Sequence, residues 1–138
     1  MLNLSAITEA IASHLKPLFP QCNVYAEVDA SRGEDVGAVP DIVVMSGPFS
    51  EILPPNYTYK ARVEVILFYQ PDTATTVDPD SLIASISSAL ASFLDDWTGS
   101  SLPTLPVYLY EGKALPIVPK KSPLLYEYHI PLTLFLQF

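Results

Sequence analysis

The chain has 138 residues, 49% of them hydrophobic and 16% charged, with a formal net charge of −8 and a pI near 4.4. That length fits one domain, residues 1–138, with one real core. The acidic balance argues against a groove built to grip phosphates, and the single cysteine, Cys22, excludes an internal disulfide and argues against a cysteine-based metal site.

The first element in chain order is a helix over residues 4–18, with Asn3 as its N-cap. Leu4, Ile7, Ile11, Leu15 and Leu18 recur at spacings of three and four and make one apolar stripe. Pro17 and Pro20 close it. A short strand follows over 23–28, then a polar acidic loop over 29–40 that includes Glu34 and Asp35. A second short strand is predicted at 41–45. Residues 47–56, with three prolines, read as a surface loop.

Residues 57–69 form the first long strand. Ala61, Val63, Val65, Leu67 and Tyr69 face one way, and Lys60, Arg62, Glu64, Ile66 and Phe68 face the other. A polar loop over 71–77 leads to the best-marked element, a helix over 78–97. Asp78 is its N-cap, Pro79 takes the first helical position and Asp80 lies in the first turn, where negative charge suits the positive helix end. Leu82, Ile83, Ile86, Leu90, Phe93, Leu94 and Trp97 supply its apolar stripe, and Gly99 is expected to end it. A strand over 105–110, a turn at Glu111-Gly112-Lys113 and a proline-rich loop over 114–123 come next. The last strand runs over 124–138, with Tyr126, Tyr128, Ile130, Leu132, Leu134 and Leu136 on one parity and Glu127, His129, Thr133 and Gln137 on the other. Two helices and about five mainly antiparallel strands predict an α+β two-layer sandwich with both helices packed on one face of the sheet.

The chemistry-bearing residues are sparse. His14 and His129 are the only histidines. His129 stands two residues from Glu127 on the polar parity of the last strand, so the pair could act as a general base with its orienter, or simply form a polar patch on a sheet. The sequence favours the patch. Asp78 and Asp80 are explained by capping. Asp95 and Asp96 sit at the negative end of their helix, which hints at a partner for them. No Gly-x-Ser-x-Gly elbow or glycine-rich phosphate loop is present. Lys120 and Lys121, with Lys113, form a small basic spot that reads as a solvated edge or an interface contact. The expectation is a protein with no catalytic site, no cofactor and no metal. No basic leader with an apolar run opens the chain, and no run is long enough for a membrane span, so a protein made in the cytoplasm and remaining soluble is expected.

The charged fraction falls below the ~25% usual for soluble proteins, which suggests that part of the surface is hidden in an assembly. With its helix, its two short strands around an acidic loop, its long strand, its Asp-Pro-Asp-started helix and its final long strand, the chain resembles the tail terminator and tail-completion (neck) proteins of tailed bacteriophages. The resemblance implies a structural virion protein. Such proteins form a homo-oligomeric ring, usually of six copies, on the head-proximal end of the tail tube, stop tube polymerisation and present a surface to the head-tail connector. DNA would pass through an acidic lumen only as cargo, and no membrane would be involved. On that reading Glu34 and Asp35 lie toward the lumen or a partner. Tyr57, Tyr59, Phe68 and Tyr69 lie near subunit contacts, joined by Lys120 and Lys121, and the loops 47–56 and 114–123 meet neighbouring rings. The alternatives are another neck, connector or tail-tube-like subunit, or a small ligand-binding module.

Overall fold

The computed structural model of the chain describes residues 4–26, 40–47, 50–52, 58–70, 78–98, 108–114, 118–121 and 126–137. Helix α1 spans Leu4–Leu15 and tightens into a 3-10 turn at Lys16–Leu18. Pro17 in that turn lacks an N–H and cannot continue the α ladder. The tightening also rotates Leu18 off the apolar stripe, and it ends 52% exposed where the 3.6-residue period predicted burial. Asn3, the expected cap, lies outside the described residues.

Helix α2 spans Pro79–Trp97. Asp78 caps it as expected, its carboxylate accepting from the Asp80 backbone N–H at 3.3 Å and from the Ser81 hydroxyl at 3.0 Å. The other end closes on Thr98, whose backbone N–H and side-chain hydroxyl both donate to the Leu94 carbonyl, at 3.1 and 3.0 Å. Gly99 lies outside the described residues.

Among the described residues seven strands form one sheet: β1 (Asn23–Ala26), β2 (Asp41–Ser46), β3 (Ser50–Ile52), β4 (Thr58–Tyr69), β5 (Tyr108–Ala114), β6 (Val118–Lys121) and β7 (Tyr126–Gln137). The main path runs β1-β2-β4-β7-β5. Its centre is the antiparallel pair β4 and β7, in register over all twelve residues from Thr58↔Gln137 to Tyr69↔Tyr126. The pairing of β1 with β2 is parallel, and the others are antiparallel.

The two segments read as proline-rich loops are partly strand. Ser50–Ile52 pairs with β4 and continues the lane that β2 begins. Val118–Lys121 pairs with β7 and continues the lane of β5. Long partners with unsatisfied N–H and C=O groups recruit these short pieces despite Pro119, which an outer lane tolerates. Between Val118↔His129 and Ala114↔Leu132, residues 130–131 of β7 pair with neither β5 nor β6. Pro131, which has no N–H to donate, falls in that stretch.

Both helices cover one face. Their buried side chains join Val24, Ile42, Val44, Val65, Leu67, Ile130 and Leu132 in a single apolar cluster. His14 of α1 stacks on Phe93 of α2, with ring centroids 3.9 Å apart and planes 13° from parallel, so the helices meet over the sheet. The predicted turn at 111–113 is instead strand β5, with a bulge between Leu109 and Glu111. Gly112 lies under α2, where an added Cβ would stand 2.9 Å from Leu94 Cδ2 and 3.3 Å from Leu94 Cβ. The glycine serves close helix approach and not a chain reversal.

Candidate functional site

Strand alternation turns the odd parity of β2 and the even parity of β4 to the face opposite the helices. In register across that face lie Asp41, Phe68 and Glu127, then Val43, Ile66 and His129, then Met45, Glu64 and Pro131, then Arg62, Thr133 and Lys113. Val43 and Ile66 are buried there too, apart from the cluster under the helices.

His129 is the centre of the polar chemistry. Its Nδ1 is 3.0 Å from Glu64 Oε1 and its Nε2 is 3.4 Å from Glu127 Oε1. The pairing with Glu127 was legible from the spacing of two in a strand. Glu64 was not, because it comes from β4, 65 residues away in sequence. The carboxylates occupy opposite ring nitrogens. A neutral imidazole donates to one of them, and only the imidazolium donates to both. That arrangement also denies the three groups a common metal, since one ion cannot reach both sides of a ring. Among the described residues no group of three or more His, Cys, Asp or Glu side chains is placed to hold a metal ion.

Beside this cluster is a depression of about 420 Å³ walled by Met45, Gly47, Arg62, Glu64, Pro131 and Thr133. Thr133 and Ser46 are the hydroxyl side chains among its described lining, and Thr133 shares the parity of His129. Thr133 stands four residues along β7 from His129, about 13 Å at the ordinary strand rise, beyond the ~3 Å reach a general base needs. The other reactive side chain, Cys22, is half-buried, and its thiol is pushed up to about 11, first by burial and then by the nearby Asp41 charge. It is protonated at neutral pH and a poor nucleophile. The geometry holds strands together and presents a charged, partly apolar surface. It does not assemble a nucleophile, a base and an oxyanion site among the described residues.

Of the residues expected at subunit contacts, the described ones fall on both parities of the strands. Phe68 is on the helix-free face and half-buried. Tyr59 and Tyr69 have the opposite parity. Tyr69 is buried on the helix side at 6% exposure, so its side chain is spent within the fold. Lys120 and Lys121 occupy β6 at the register positions of Glu127 and Tyr126. Glu34, Asp35 and Tyr57 lie outside the described residues. The anomaly at Asp95 and Asp96 finds part of its reason in α1, because the Asp96 charge acts on His14.

Two residues that sequence reasoning passed over are Arg62 and Glu64. Alternation placed both on one face, but only the β2-β4-β7 register shows that they border a depression. No protein-family model matches the chain, and no curated protein is significantly similar to it. No helix among the described residues is long and apolar enough to cross a membrane.

Proposed function

We propose that this chain is a structural subunit of a bacteriophage tail, forming a ring on the head-proximal end of the tail tube, ending tube growth and meeting the head connector. The observation that carries the reading is the asymmetry of the sheet's two ends. Among the described residues the order ends on one side in β1, four residues long and paired parallel, and on the other in β5, bulged and paired antiparallel. Contacts made through two unlike ends are heterologous, and a heterologous contact closes into a ring when its rotation divides the circle. The low charged fraction and the net charge of −8 fit a subunit with hidden surface around a lumen that repels passing DNA.

The test is electron microscopy of the purified chain, alone and added to polymerising tail-tube protein. Closed rings, and tubes capped at one end and shortened as the chain is added, are the expected result. A monomer that neither closes into rings nor alters tube length overturns the reading. Unfilled heads with normal tails after gene deletion would move the chain to the connector.

A further inference from the structure

Among the described residues β1 pairs with β2 alone, so its other edge is open. The Asn23 N–H donates to the Pro40 carbonyl at 3.0 Å, and that bond sets the phase of the parallel ladder. Asn23 and Tyr25 turn their backbone N–H and C=O groups to β2, so Val24 and Ala26 turn theirs outward. Those outward groups have no backbone partner among the described residues. An open edge of this kind is a template for one more strand. A groove runs along it. About 320 Å³ of space lies between Val24–Ala26 and the Glu9, Ala12, Ser13 and Lys16 side of α1. Ala12 is buried, and Glu9, Ser13 and Lys16 are exposed. Only residues 19–22 separate Leu18 from Asn23. The chain therefore reverses there, which sets Lys16 beside the start of β1 and Glu9 beside its end. The groove has a positive and a negative end, about 10 Å apart at the ordinary helix rise.

We propose that β1 takes an extended segment of another protein as an added antiparallel strand, with a basic side chain toward Glu9 and, four residues later, an acidic one toward Lys16. Main-chain bonds to Val24 and Ala26 hold the segment, and its side chains of one parity enter the groove. Antiparallel pairing is the more stable ladder, and it fixes the order of charges, because the segment then begins by Glu9 and ends by Lys16. Four residues of strand cover about 13 Å, a span that the long stems of lysine and glutamate match to the groove. The residue midway meets Ala12 and Ser13 and is small. The sheet's other end does not supply this order. Laid antiparallel on β1, β5 would bring Glu111 to Glu9 and Lys113 to Lys16, like against like, and turned over it offers the groove only Gly112 and Ala114. The occupant is therefore a foreign segment and not a second copy. The inference goes beyond the ring reading and does not rest on it: the edge takes a strand in the single chain, and where copies meet at this end the strand lies in their joint.

The test is NMR of the full nitrogen-15-labelled chain with the capped peptide Thr-Lys-Val-Ser-Val-Glu-Thr and its charge-reversed form Thr-Glu-Val-Ser-Val-Lys-Thr. The first peptide is expected to slow hydrogen exchange at the Val24 and Ala26 amides and to leave Asn23 and Tyr25, already bonded to β2, unchanged. The reversed peptide is expected to bind about tenfold more weakly. In the double variant Glu9→Lys/Lys16→Glu the preference inverts, and because both side chains are exposed the fold is spared. No binding of either peptide, equal affinity for both, or changes that spare Val24 and Ala26 overturn the proposal. Val24 and Ala26 amides that are protected before any peptide is added overturn it as well, in favour of a second copy if the protection grows with concentration and of another segment of this chain if it does not.

Discussion

The Tyr128 hydroxyl donates to Asp80 Oδ1 at 3.0 Å, tying the start of β7 to the first turn of α2. The ring of Tyr128 is buried on the helix side of the sheet at 2% exposure, while its hydroxyl reaches the helix end. The aspartate that sequence reasoning assigned to the helix start therefore also anchors that helix to the sheet.

Burial, then the bond to Asp80 and its charge, push the Tyr128 phenol up to about 12. Tyr128→Phe keeps the packing and removes the bond, so urea unfolding should show a loss of roughly 1 kcal/mol. The sign with pH follows from the raised value. The unfolded phenol begins to ionise near its ordinary 10.0 and the folded one does not, so this contribution to stability fades above pH 10. Ultraviolet titration of the folded wild type and of folded Tyr128→Phe should differ by one phenol that ionises well above pH 10.

His14 is held below its ordinary 6.5, chiefly by burial, with Asp96 opposing. The unfolded chain then takes up a proton that the folded chain resists. Stability contributed by this site is full above pH 6.5 and falls as the pH drops from there toward the lowered folded value. His14→Phe preserves an aromatic partner for Phe93 and cannot titrate. Chemical unfolding between pH 8 and 5 should show a shallower decline in the variant than in the wild type.

Cys22 should be slow to alkylate while the chain is folded. A thiol pushed up to about 11 from an ordinary 9.0 holds about a hundredfold less thiolate at pH 8. Iodoacetamide labelling, followed by mass spectrometry with and without urea, measures the ratio. Equal rates in both conditions would show that the thiol is not shielded by the fold.

Gly112→Val should destabilise the chain by about 1–3 kcal/mol, because its Cβ meets Leu94 and its methyls have no room beneath α2. Differential scanning calorimetry of the variant checks this. Gly112→Val with Leu94→Ala should recover part of the loss, since the two side chains compete for one space.

Of the strands read over 57–69 and 124–138, Thr58–Tyr69 and Tyr126–Gln137 were legible because strict alternation survives in both, and residues 57, 124, 125 and 138 lie outside the described residues. The same alternation correctly separated Ala61, Val63, Val65 and Leu67 from Lys60, Arg62 and Glu64. Helix α2 was legible from Asp78-Pro79-Asp80 and its stripe. Ser50–Ile52 and Val118–Lys121 were not, because segments of three and four residues with prolines nearby carry no periodic signal and become strand only when β4 and β7 offer them a ladder. The turn assigned to Glu111-Gly112-Lys113 failed for a related reason: a glycine chosen for helix approach looks the same in sequence as one chosen for a bend.

The sequence by itself determined most of the side chains that face apolar surroundings, since period sets the face wherever the element stays regular, as it does not at Leu18, and it determined the cap that starts α2, since the groups concerned are neighbours. Tertiary structure alone decided that Glu64 meets His129, that Arg62 borders a depression beside β7, and that Asp80 anchors Tyr128. Those relationships join residues dozens of positions apart through strand order and register, and no local pattern carries that information.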